Sequence, residues 1–88
     1  MMTPADYTSE FAYDKYVWPA LERGDETVTL EASEIYDGLN GKYSRHFVGD
    51  VLGSQHFRNT YHLALESAEI STDTKYTFRL GVGQRMLA

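Results

Sequence analysis

Eighty-eight residues without a cysteine are enough for one core and too few for two, and they exclude both a disulfide framework and a thiolate zinc site. With 42% hydrophobic and 24% charged residues, the composition is that of a folding chain, not a disordered one. The net charge of −5 runs against nucleic-acid binding, yet it is unevenly spread: residues 1–40 carry two cations against nine acids, while residues 41–88 carry six against four, with all three histidines in addition.

In chain order, residues 1–5 are expected to be a flexible N-terminus, residues 6–80 one folded domain, and residues 81–88 a flexible tail. From Asp6 to Arg23, Tyr7, Phe11, Val17 and Leu21 fall near helical spacing, with Tyr13, Tyr16 and Trp18 widening the stripe. A first helix is predicted, kinked or split at Pro19 into a long first part and a short final turn because proline cannot donate to Lys15, and ended by Gly24. Thr27-Val28-Thr29-Leu30 is short, β-branched and alternating, as an edge strand would be. Ala32, Ile35, Tyr36 and Leu39 then follow i, i+3, i+4, i+7, which predicts a second helix over 31–39, and Gly38-Leu39-Asn40-Gly41 must stop it. Ser44 is a good N-cap for a third helix over 44–53, whose stripe is Phe47, Val48, Val51 and Leu52.

The remainder has two readings. Tyr61, Leu63 and Leu65 alternate with polar residues, as do Tyr76, Phe78 and Leu80, which predicts a β-hairpin over 61–80 with a bulge near Ser67 and a turn at Ser71-Thr72-Asp73-Thr74. The competing reading is a helix from Arg58 to Glu69, because Phe57, Tyr61, Ala64, Leu65 and Ala68 also make a helical stripe.

With the hairpin, the expected fold is α+β: helix, short strand, helix, glycine turn, helix, hairpin. That order, with Thr29-Leu30-Glu31-Ala32-Ser33-Glu34-Ile35 opening the second helix, resembles a three-helix winged helix-turn-helix with a C-terminal β-hairpin wing. The chain is similar to the small acidic winged-helix proteins of salt-loving archaea and their viruses, where a Ser-Arg stretch opens the third helix and a Tyr-x-Phe-Arg-Leu strand closes the wing. The resemblance spans about residues 27–80. It implies a transcriptional regulator that binds double-stranded DNA by occupancy, with helix 44–53 in the major groove and the wing on the backbone.

On that expectation, Arg45 and His46 in the first turn of helix 44–53 contact bases or phosphates, and Lys42, Tyr43 and Ser44 contact phosphate, although capping alone accounts for Ser44. Arg58, Lys75 and Arg79 flank the same surface, where cations also serve to protect an exposed strand edge. Gly49 reads as a packing glycine or as a point of close approach to DNA. Most aromatics supply core volume in place of a stacking platform. Tyr13 and Trp18 exceed what one core needs and suggest a homodimer contact.

The histidines show no metal-ligand spacing and no nucleophile has a positioned base, so neither a metal, a cofactor nor an enzyme is expected. Apolar runs are short and no leader is legible, which leads to an expected cytoplasmic, non-membrane location. Two rivals remain: a protein-binding winged helix that engages a basic partner through its acidic N-terminal half, and a phage-type inhibitor that mimics DNA phosphates.

Overall fold

The computed structural model describes residues 2–70 and 73–80, so the expected tail over 81–88 lies outside the described residues, as do Ser71 and Thr72 of the expected turn. The chain is α+β, with its helices packed on a three-stranded antiparallel sheet.

Helix α1, Pro4–Ala12, starts two residues earlier than expected, and residues 3–5 provide its cap and first turn. Thr3 Oγ1 accepts from the Asp6 amide at 3.1 Å, and the Asp6 carboxylate accepts from the Thr3 amide at 3.2 Å, a reciprocal capping box with Pro4 opening the helix. The helix then runs through a π-helical stretch, Tyr13–Val17, into α2, Trp18–Arg23. The Trp18 amide donates to the Tyr13 carbonyl, five residues back. This wide turn lies just ahead of Pro19 and divides the helix into a long first part and a short final one, as expected.

The π turn also resets which side chains face inward. Ahead of it Thr8, Ser9 and Ala12 are buried, and then Val17 at its end and Ala20 beyond it, so Ala12 and Val17 are separated by one residue more than an α-helical turn allows. Of the predicted stripe only Val17 is fully buried: Phe11 and Leu21 pack from the edge, and Tyr7 is 44% exposed. The buried hydroxyls of Thr8 and Ser9 donate to the carbonyls of Pro4 and Ala5, at 2.9 and 2.8 Å, which removes the cost of burying them. Gly24 closes α2 at φ +79°.

Strand β1, Thr27–Glu31, leads directly into α3, Ala32–Gly38, which buries Ala32 and Ile35. Gly38 is where α1 and α3 meet: a Cβ there would lie 2.6 Å from Phe11 Cζ. Asn40 and Gly41 take successive left-handed conformations and turn the chain toward α4, Arg45–Leu52, capped by Ser44 Oγ on the Phe47 amide at 3.1 Å. Leu39, Val48 and Leu52 are buried together, as the facing stripes of these helices require.

Gly49 is buried as well, but a Cβ built on it meets nothing within 4 Å, so no neighbour depends on its missing side chain. Gly49→Ala is therefore expected to raise stability by about 0.5–1 kcal/mol through helix propensity. A lower urea midpoint for this variant would show that the space is needed.

Both readings of the next segment are half correct. A helix not included in the three-helix expectation, α5, covers Gln55–Tyr61, and the strand begins only at Ala64. Ser54 Oγ accepts from the Phe57 amide at 3.2 Å and donates to the Val51 carbonyl at 2.7 Å, so one hydroxyl ends α4 and starts α5. Phe57 and Tyr61 form an i, i+4 aromatic pair on the inner face, which outweighs the alternation that pointed to a strand. His62, at φ +57°, turns the chain out of the helix, and Leu63 is buried.

Strands β2, Ala64–Glu69, and β3, Lys75–Arg79, pair antiparallel, and β3 also pairs with β1, giving the order β1-β3-β2. The register of β2 shifts between Leu65 and Ser67, at the predicted bulge; Leu65 pairs with the buried Phe78 and shares its face, but on this edge strand it is 40% exposed. On β3, Phe78 is fully buried beneath the helices, and the following Leu80 is buried too. No helix among the described residues is long and apolar enough to cross a membrane.

Candidate nucleic-acid interface

The residues expected to contact DNA divide into three groups. Lys42, Tyr43, Ser44, Arg45 and His46 are contiguous at the amino end of α4. Lys42 Nζ lies 4.9 Å from the Tyr7 ring centroid and 5.7 Å from that of Tyr43, and the Arg45 guanidinium lies 5.4 Å from the Tyr36 ring. Neither cation has a carboxylate partner among the described residues, so both charges are held against aromatic faces and stay available to a phosphate. Tyr43 is half-buried between Tyr7 and Phe47. Ser44 acts as the helix cap, and His46 Nε2 is 3.3 Å from Asp50, one turn along α4, with both exposed.

Arg58 stands apart on α5, where its Nη1 donates to the Gly53 carbonyl at 3.3 Å and ties the helix back to its own turn. Lys75 and Arg79 form the third group, and both are already paired across the sheet: Lys75 with Glu31 of β1 at 3.8 Å, Arg79 with Glu66 of β2 at 2.9 Å. The expected dimer pair is divided. Tyr13 stacks on Tyr61 at 4.2 Å with the rings 14° apart and is used inside the molecule, whereas Trp18 is 49% exposed.

The sequence reading passed over the outer face of α5. Gln55, His56, Asn59 and Thr60 are exposed there, behind a two-residue connection, Gly53-Ser54. Ser54 three residues ahead of Phe57 was the available signal, a capping serine just after Leu52-Gly53. Gly53 has an ordinary φ of −84°, but a Cβ on it would lie 2.6 Å from Tyr76 Oη, so the short connection sits directly against β3.

The β2–β3 connection is held to α3. Glu31 precedes α3 without capping it; instead the Ala32 amide donates to the Thr74 carbonyl at 2.9 Å and the Ser33 amide to Asp73 Oδ1 at 3.3 Å. The side-chain and backbone hydrogen bonds from Ser33 hold the Asp73 carboxyl below its ordinary 3.8, and loss of solvation holds Glu31 above its ordinary 4.5 against the pull of Lys75. The two groups therefore have opposite pH dependences. Asp73 favours the folded state above its unfolded value and loses that contribution as the pH falls through its lowered folded value; ionising Glu31 disfavours the folded state as the pH rises through the ordinary glutamate range. On acidification, carboxyl-carbon NMR is expected to show Glu31 protonating before Asp73, with the Ser33 amide shift following Asp73.

Comparison with protein-family models, with curated proteins and with solved structures gave no match.

Proposed function

We propose that the protein is a winged helix-turn-helix regulator of transcription that binds double-stranded DNA by occupancy, with α4 and α5 as its helix pair and β2–β3 as its wing. The observation that carries this reading is the two-residue connection Gly53-Ser54 followed by a helix whose outer face is Gln55, His56, Asn59 and Thr60. Asparagine and glutamine match the adenine edge in the major groove bidentately, and threonine reaches any base. In this arrangement α5, not 44–53, is the reading helix. The amino end of α4 then crosses the backbone, with Lys42 and Arg45 toward phosphates. The sheet order β1-β3-β2 and the contact of Phe57 on α5 with Phe78 on β3 support the same reading. Lys75 and Arg79 contribute less than expected, since each exchanges a glutamate for a phosphate.

The test is selection from a random duplex library followed by two substitutions. Asn59→Ala is expected to lose about 1–3 kcal/mol of discrimination at one position of the selected site. Lys42→Ala is expected to weaken all duplexes alike and to reduce the salt slope by about one. A chain that binds no duplex even at low salt, and competes with DNA for a third protein, would replace this reading with the phosphate mimic.

A further inference from the structure

Independently of DNA, we propose that the outer face of α1 is a docking site for an arginine carried on a basic polypeptide segment. A pocket of about 250 Å³ opens there, lined by Met2, Tyr7, Glu10, Phe11 and Asp14. The helical repeat brings residues 7, 10, 11 and 14 to one side of the helix. Phe11 is fixed in place because its ring fills the space left by Gly38, and Tyr7, with Lys42 and Tyr43 against part of its ring, is 44% exposed. The pocket therefore has a rigid apolar wall and an accessible aromatic ring.

Its charge is what selects the occupant. Glu10 and Asp14 are exposed and have no cationic partner among the described residues, whereas Asp25, Glu31 and Glu66 each hold a lysine or arginine. An acidic ligand is repelled, and an apolar side chain leaves both carboxylates without a counter-charge. A lysine ammonium is a compact point charge. A guanidinium is planar, stacks on an aromatic ring and presents a fork of donors wide enough for two carboxylates, so arginine uses every component of the pocket at once. That the Tyr7 ring accepts a cation is already visible in Lys42, whose ammonium lies 4.9 Å from its centroid.

The test is titration of the ¹⁵N-labelled full chain with a synthetic peptide of alternating arginine and glycine, its lysine counterpart, and spermine. Amide shifts are expected to concentrate between Tyr7 and Asp14, with the arginine peptide binding tightest. The double variant E10Q/D14N is expected to weaken that binding about tenfold, through loss of two charge-assisted contacts. The variant E22Q/E26Q makes the same change in net charge at exposed sites outside the pocket, and is expected to have an effect of less than about twofold, as for screened surface charge. Equal weakening by the two variants, or shifts spread evenly over the acidic residues, would overturn the site. Spermine binding as tightly as the arginine peptide would overturn the assignment to a polypeptide. All substituted residues are exposed and near-isosteric, and a thermal melt matching the parent confirms that each variant is folded.

Discussion

Phe57→Ala is expected to cost about 3–5 kcal/mol, the range for emptying a buried aromatic site. Phe57 is the largest fully buried side chain of α5 and touches Phe78 of β3 edge to face, with ring centroids 5.6 Å apart, so it joins the fourth helical segment to the sheet. A chain of this length has about 4–13 kcal/mol of stability in all, and the variant should be partly unfolded at ambient temperature. Urea denaturation followed by tryptophan emission measures this. Phe57→Leu, which keeps most of the volume, should lose markedly less. An unchanged midpoint for the alanine variant would mean that α5 is not docked on the core and would remove the basis for treating it as a reading helix.

Gly53→Ala is expected to destabilise by about 1–3 kcal/mol, as overpacking does. The added methyl meets Tyr76 Oη at 2.6 Å and Cζ at 2.8 Å, and Tyr76 is held in the middle strand, so either the ring or the α4–α5 connection has to move. The origin of the cost is testable by a double-mutant cycle. Tyr76→Phe removes only the hydroxyl and should restore little, because the ring carbon remains. Tyr76→Ala should abolish the added cost of Gly53→Ala, giving a coupling energy of about 1 kcal/mol or more. Additive effects would show that Gly53 is required for another reason. Because the same connection aims α5, Gly53→Ala should also weaken any selected duplex more than random DNA.

The sequence was most legible where one periodicity operated without interruption. Ala32 and Ile35 with Leu39, and Val48 with Leu52, occupy the predicted inner faces, and Ser44 caps the helix it was expected to cap. The first helix was misread because a π turn adds a residue to one revolution, and a regular repeat drawn across it puts Tyr7 inside and leaves Thr8 and Ser9 out. The segment after Gly53 was misread because Phe57, Tyr61, Leu63 and Leu65 satisfy two periods at once. Tyr61 belongs to the helix and Leu63 to the approach to β2, and the left-handed His62 that separates them leaves no mark in the apolar pattern. For the candidate site, cations could be located but not their partners. That Arg79 is neutralised by Glu66 depends on the bulged register of the β2–β3 hairpin, and that Lys75 is neutralised by Glu31 depends on a β1–β3 register spanning more than forty residues, which no local spacing contains.

That register also orders the assembly of the molecule in time. Thr27 and Arg79 face one another at one end of the β1–β3 ladder, and Thr29 and Thr77 share a hydroxyl hydrogen bond of 2.9 Å near its middle. From Pro4 to Tyr61 the chain is helical except for β1 and the segments that connect the elements, and helices form from neighbours in the chain within microseconds, whereas β1 must wait for a segment about fifty residues later to close a large loop. On a ribosome the helices are therefore in place while β1 is still without its partner, and the newly made chain presents a bare strand edge until β3 emerges. The same closing step brings Thr74 and Asp73 onto the start of α3, so the arrival of β3 also completes a helix made forty residues earlier.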